Sequence, residues 1–138
     1  MLRPLPLLAV VTALALAGCT AQTPTKDSSG NFKGDQRLVA NTVEDFESAA
    51  SKSDEGKICR ELLAQALVTR YAQRGGTCEK AVDGALKDTD SFGLTVEKVS
   101  ITGSEAAVSV KADRGKKDIV QPMTLVKQGQ GWRISAFG

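Results

Sequence analysis

The chain has 138 residues, with 18 lysines and arginines against 16 aspartates and glutamates, and no histidine. That length supports one folded domain and is too short for two separate cores. A formal net charge of +2 gives no footprint for nucleic acid, an acidic substrate or strong electrostatic steering.

The first 18 residues have the three-part form of an export signal. Arg3 is the positive n-region, and Leu5 to Ala17 form an apolar stretch too short and too rich in small residues to remain as a spanning helix. Leu16-Ala17-Gly18-Cys19 then reads as a lipobox, an aliphatic residue and two small ones before a thiol that can be acylated. Cleavage before Cys19 leaves 120 residues with 17 basic and 16 acidic side chains, because only Arg3 is charged in the leader. Palmitate-type chains on Cys19 contribute roughly 0.8 kcal/mol per buried methylene, so two give stable anchoring where one does not. The expected location is the outer, extracytoplasmic face of the cell membrane.

Residues 20 to 36 are rich in Thr, Ser, Gly, Lys and Asp without an apolar period, which predicts a flexible tether with an r.m.s. span of about 23 Å. The expected organisation is therefore a signal peptide over 1–18, the lipidated cysteine and tether over 19–36, and a folded domain over 37–138.

The first helix is expected from about Gln36 to Ser51, with Asp35 as N-cap and Val39, Val43, Phe46 and Ala50 along one face. A second, after Asp54, carries Cys59, Leu62, Leu63, Ala66 and Leu67 at i, i+3, i+4, i+7 and i+8. A third, after the N-cap Thr77, repeats those offsets with Cys78, Ala81, Val82, Ala85 and Leu86. Each cysteine thus opens an apolar stripe.

Outside the membrane, two thiols 19 residues apart are far more often one disulfide than a metal pair, and no histidine is present to complete a zinc site. A Cys59–Cys78 bridge constrains the second helix. Continued to Gln73, it would carry the chain about 21 Å from Cys59, too far for the few residues before Cys78 to recover comfortably. The helix is therefore expected to end near Leu67 or Val68, with residues 69 to 76 returning as a loop.

From Phe92 the period changes to two. Leu94-Thr95-Val96 and Val99-Ser100-Ile101 alternate in opposite phases, which places a bulge near Glu97-Lys98. Ala106, Val108, Val110 and Ala112 alternate along a second strand. A third runs from Ile119 to Lys127, where Pro122 requires an edge or a bulge, and a fourth from Trp132 to Phe137. The expected fold class is α+β, three N-terminal helices packed on one face of a curved, cone-like antiparallel four-stranded sheet.

This order of elements, with the Cys59/Cys78 pair and the closing Leu125-Val126-Lys127 and Gly131-Trp132-Arg133-Ile134 strands, resembles the nuclear-transport-factor-2-like (cystatin-like cone) superfamily. With the lipobox it looks like the small exported lipoproteins of actinobacteria built on that cone. The resemblance covers about residues 37 to 138. It implies a curved sheet around a helix with an internal pocket, used by some members for isomerase or dehydratase chemistry and by many others only for binding, so fold leaves function open. The chain departs from the catalytic members: it lacks histidine, has one tyrosine, and carries no acidic residue within an apolar strand stripe.

Acid–base chemistry would have to use Tyr71, Asp83, Asp90 or Glu97, each more simply read as a solvated or capping residue. A serine or cysteine nucleophile has no histidine base. Gly75-Gly76 reads as a turn before a helix and not as a phosphate loop. Arg114, Lys116 and Lys117 form a basic hairpin tip of the kind that is usually only solvated, with anionic headgroups or envelope polymers as its functional alternative. Trp132 reads as core. No catalytic residue, metal site or cofactor is expected.

The expectation is a non-catalytic ligand-binding or protein-interaction module of the cell envelope, with an isomerase- or lyase-type enzyme as the alternative. Its partners would be the membrane through Cys19 and a small apolar ligand or an envelope protein. Ala81, Ala85, Ala106 and Ala112 are small for core positions, so space is expected between the third helix and the sheet. The anchor assignment is tested by metabolic labelling with a fatty-acid analogue: Cys19→Ala is expected to abolish lipidation, and label retained on that variant would overturn it.

Overall fold

The computed structural model describes residues 28–89, 93–113 and 117–138. The fold is α+β, with four antiparallel strands in one open sheet and four helices ahead of it. Helix α1 spans Gly34–Ser51, α2 Glu55–Lys57, α3 Gln65–Gly75 and α4 Cys78–Lys87. Strands β1 (Gly93–Thr102), β2 (Glu105–Asp113), β3 (Asp118–Gln128) and β4 (Gly131–Phe137) follow as a meander in sequence order. No helix among the described residues is long and apolar enough to cross a membrane.

The apolar phases set which face of the sheet is covered. Val96, Val99, Val108, Val110, Leu125 and Ile134 are buried beneath the helices, and their neighbours along each strand point outward. The pairing of β1 with β2 shifts between Val96 and Lys98, so the bulge falls at Glu97, and Val96 and Val99 both reach the core despite their odd spacing. Pro122 is tolerated because its carbonyl accepts from Gly138 at 2.8 Å. In an extended strand the nitrogen faces the same side, here beyond Phe137, the last paired residue of β4, and so away from the ladder with β2.

Helix α1 crosses the sheet from β1 to β4. Its Gln36 Nε2 donates to the Val99 carbonyl at 3.1 Å and Thr42 Oγ1 to the Trp132 carbonyl at 3.4 Å. Val39, Val43 and Ala50 are buried as their spacing predicts, and Phe46 is half-buried. Asp35 is not the N-cap. Lys33 holds that position, and Asp35 lies in the first turn, where its charge suits the helix dipole and faces Lys127 at 3.5 Å. Asp54 and Thr77 do cap their helices, accepting from the Lys57 and Lys80 backbone N–H groups at 2.9 and 3.1 Å.

The second expected helix is two helices. After α2 the chain widens into a π-helical turn over Ile58–Leu62, closed by Leu63 N–H donating to Ile58, and Leu63 is extended. Ala64 then donates to the Ile134 carbonyl at 2.8 Å, which docks this break on the outer edge of β4. Residues 69–75 are consequently helical in α3 and do not form a return loop. The chain reversal that the cysteine pair demands is made at Leu63–Ala64 and completed at Gly76, whose φ of +85° glycine adopts without strain.

Residues 28–36, expected as part of the tether, are also folded. Ser29–Asn31 form a 3-10 turn against α1, and Ser28 and Ser29 are buried. Ser28 Oγ donates to Glu44 Oε1 at 3.1 Å and accepts from Val96 N–H at 3.1 Å, while Ser29 N–H donates to the same Glu44 oxygen at 2.7 Å. A polar tract docks here because each of these buried polar groups has a partner.

Cys59 and Cys78 are disulfide-bonded with Cα atoms 6.1 Å apart, and both are buried. The bond ties the π-helical turn to the first residue of α4. Replacing both cysteines by alanine is expected to lower the unfolding free energy by about 3 kcal/mol, measured by urea denaturation. A loss below about 1 kcal/mol would show that the break at Ala64 holds these helices without the bridge.

Candidate functional site

Between α4, the end of α3 and the covered face of the sheet lies a cavity of about 480 Å³. From the helical side it is lined by Ile58, Leu63, Val82 and Leu86, together with Ala81 and Ala85. The sheet contributes Leu94, Val110, Ala112 and Met123. Phe46 and Phe137 close one side with ring centroids 5.2 Å apart.

Three of the four alanines singled out by their small size, Ala81, Ala85 and Ala112, line this space. Ala106 does not. It is fully buried between Ile101 and Leu125 on the neighbouring strands, at the closed end of the sheet, where its small side chain admits those larger neighbours. Space remains at the other end because α1 is committed to the β1–β4 diagonal and α4 presents alanine at successive turns.

The lining is apolar except for a polar rim formed by the Tyr71, Arg74, Thr89 and Gln121 side chains and the Gly138 main chain. Thr89 Oγ1 is engaged, donating to the Ala85 carbonyl at 3.0 Å. Tyr71 and Arg74 are three residues apart on α3 and share a face. Burial holds the Tyr71 phenol above its ordinary value near 10, while the Arg70 and Arg74 charges pull the other way. The hydroxyl is therefore neutral at physiological pH and available as a donor.

Of the other acid–base candidates, Asp83 and Glu97 do not join this lining. Asp83 accepts from Lys87 Nζ at 2.7 Å on the outer side of α4, and Glu97 is exposed at the bulge. Asp90 lies outside the described residues, as do Cys19, Phe92, Arg114 and Lys116, and Lys117 is exposed. Gly75 sits where a Cβ would come within 3.0 Å of the Ala81 side chain, so it serves the close packing of α3 on α4. Trp132 is core: it is buried, Lys127 Nζ lies 5.8 Å from its ring, and its Nε1 has no hydrogen-bond partner among the described residues.

Arg74 and Gln121 were not apparent as site residues from the sequence. The signal for Arg74 was the Tyr71-x-x-Arg74 spacing, which acquires meaning only once residues 69–75 are helical. A second depression, of about 580 Å³, lies against the disulfide and is bordered by Arg60, Gln65, Glu79, Gln128 and Arg133. Among the described residues no group of His, Cys, Asp or Glu is arranged to hold a metal ion.

No family model matches the chain, and neither a curated protein nor a solved structure matches it.

Tyr71 is the only tyrosine, so its ionisation can be followed by absorbance without interference from another phenol. Its folded-state midpoint is expected above the midpoint in denaturant. A raised acid contributes its stabilisation in full below the unfolded value near 10, and that contribution is lost as pH rises through the folded value. A folded midpoint at or below the denatured one would show that burial does not outweigh the Arg70 and Arg74 charges.

Proposed function

We propose that this chain is an exported, lipid-anchored binding protein that takes a small apolar or amphiphilic ligand into the cavity beneath α4 without converting it. The single observation that carries this reading is a largely apolar cavity of about 480 Å³ with a few polar groups at its rim, within the range of small-molecule sites. Left empty, such a space costs stability in proportion to its volume. The open sheet with helices over one face and a cavity between them is what a cone of the nuclear-transport-factor-2-like kind would have, and the lipobox at Cys19 supports attachment at the outer face of the membrane.

Two further observations favour binding over the other classes. An isomerase or lyase would need a base near its acid, and Tyr71 is joined in the described lining by no carboxylate side chain or imidazole. An interaction module working through the outer sheet face would need an apolar patch there. That face carries Thr95, Ser100, Ser109, Lys111 and Thr124 among its residues, and among the described residues Val120 is the one large apolar side chain there that is exposed.

The test is a neutral fluorescent probe, N-phenyl-1-naphthylamine, added to the mature chain carrying Cys19→Ala so that the acyl anchor cannot compete. Binding is expected to enhance fluorescence at one site and to raise the melting temperature by mass action. Ala85→Leu and Ala112→Leu, which fill the cavity from opposite walls, are expected to abolish both effects while the fold is retained. Undiminished probe binding in both variants would overturn the assignment to this cavity.

A further inference from the structure

We infer that the ligand of this cavity is a single-chain anionic amphiphile, its acidic headgroup held at the rim by the Arg74 guanidinium and the Tyr71 hydroxyl and its chain lying among the apolar walls. This rests on the binding reading above and adds to it the chemical class of the ligand.

The cavity lining has an apolar part and a polar part. The apolar part includes Ile58, Leu63, Val82, Leu86 and the Phe46–Phe137 pair. In the polar part, Arg74 lines the space from the last turn of α3, and among the described residues its guanidinium makes no hydrogen bond or ion pair. A guanidinium stays charged at any physiological pH and presents a planar fork of donors that fits a carboxylate or phosphate. Arg70 lies one turn earlier on the same helix, and its charge also acts on the Tyr71 phenol. Asp83, the acidic residue of α4 in its central turns, is held by Lys87. The rim thus brings two arginine charges to bear on one neutral hydroxyl donor, set against apolar walls.

A fully apolar ligand would leave these donors without a use, and a polar anion without a chain would leave the walls empty. An acyl carboxylate satisfies both. Its two oxygens can accept from the guanidinium fork and the phenol, and charge-assisted hydrogen bonds of this type are about twice as strong as neutral ones. Gln121, on the sheet side of the rim, supplies an amide for a second headgroup oxygen. The ordinary structural role of Arg74, a cation in the last turn facing the helix dipole, is compatible with this one and is separated from it by experiment.

Decanoate, decanol and decyltrimethylammonium, each kept below its micellar concentration, share one chain length and differ in headgroup charge. Each is titrated against N-phenyl-1-naphthylamine bound to the mature Cys19→Ala chain. Decanoate is expected to displace the probe about tenfold more effectively than decanol, and the cation least of all. Arg74→Gln is expected to bring decanoate down to the level of decanol, and Arg74→Lys to restore part of the difference. Tyr71→Phe is expected to weaken decanoate several-fold and decanol little. If the probe binds but decanoate is no better than decanol, or if its preference survives Arg74→Gln, the headgroup assignment is wrong and the apolar cavity reading stands. If none of the three ligands nor the probe binds, the cavity reading fails and takes this inference with it.

Discussion

One backbone hydrogen bond, from Ala64 N–H to the Ile134 carbonyl, decides how the helical half of this domain meets its sheet. A break in a run of good helix formers exposes backbone donors and acceptors that must be satisfied elsewhere. The outer edge of β4 supplies the acceptor here, and the same contact covers part of an edge that would otherwise be open to another strand. The direction of α3 follows from it, as does the return of the chain that places Cys78 beside Cys59. With α3 and α4 turned back on one another, their shared end overhangs the sheet and encloses the cavity.

The disulfide and the break perform related tasks by different means. The bridge restricts the unfolded chain, whereas the Ala64 contact acts only in the folded state. Together they hold the π-helical turn, from which Ile58 reaches the cavity wall, between two fixed points. A widened turn is a locally costly arrangement that occurs often at sites of function. Its persistence here fits a wall that must keep its position.

Much of the fold was legible in the sequence, for reasons that individual residues make plain. Thr77 and Asp54 announced helix starts because their side chains have few better uses than capping. The phase reversal between Val96 and Val99 located the bulge because one face of the sheet must stay apolar. The break at Leu63–Ala64 was not legible. Leu62 through Leu67 contains neither glycine nor proline, and only the distant Ile134 carbonyl makes the interruption favourable. Ser28 was missed for a similar reason: a serine in a polar tract is buried only because Glu44 and Val96 both happen to meet it. The alanines told of the cavity on α4 and at Ala112, and misled at Ala106, where smallness serves the packing of its neighbours. Arg74 gained its place only through the helical state of α3.

The docking of Ser28 changes how far the domain can stand from whatever holds Cys19. Eight residues lie between the two, and however they are arranged the nine steps from Cys19 to Ser28 span at most about 32 Å, little more than the hydrocarbon thickness of one leaflet pair. Ser28 joins the fold at Val96 on β1, two residues from Leu94 in the cavity wall. On the proposed acylation, the leash is therefore fastened at the same end of the sheet as the cavity, and the entrance cannot drift far from the lipid surface. A water-insoluble molecule leaving that surface would have only a short aqueous gap to cross, so capture would be governed by local supply from the bilayer more than by its free concentration in solution.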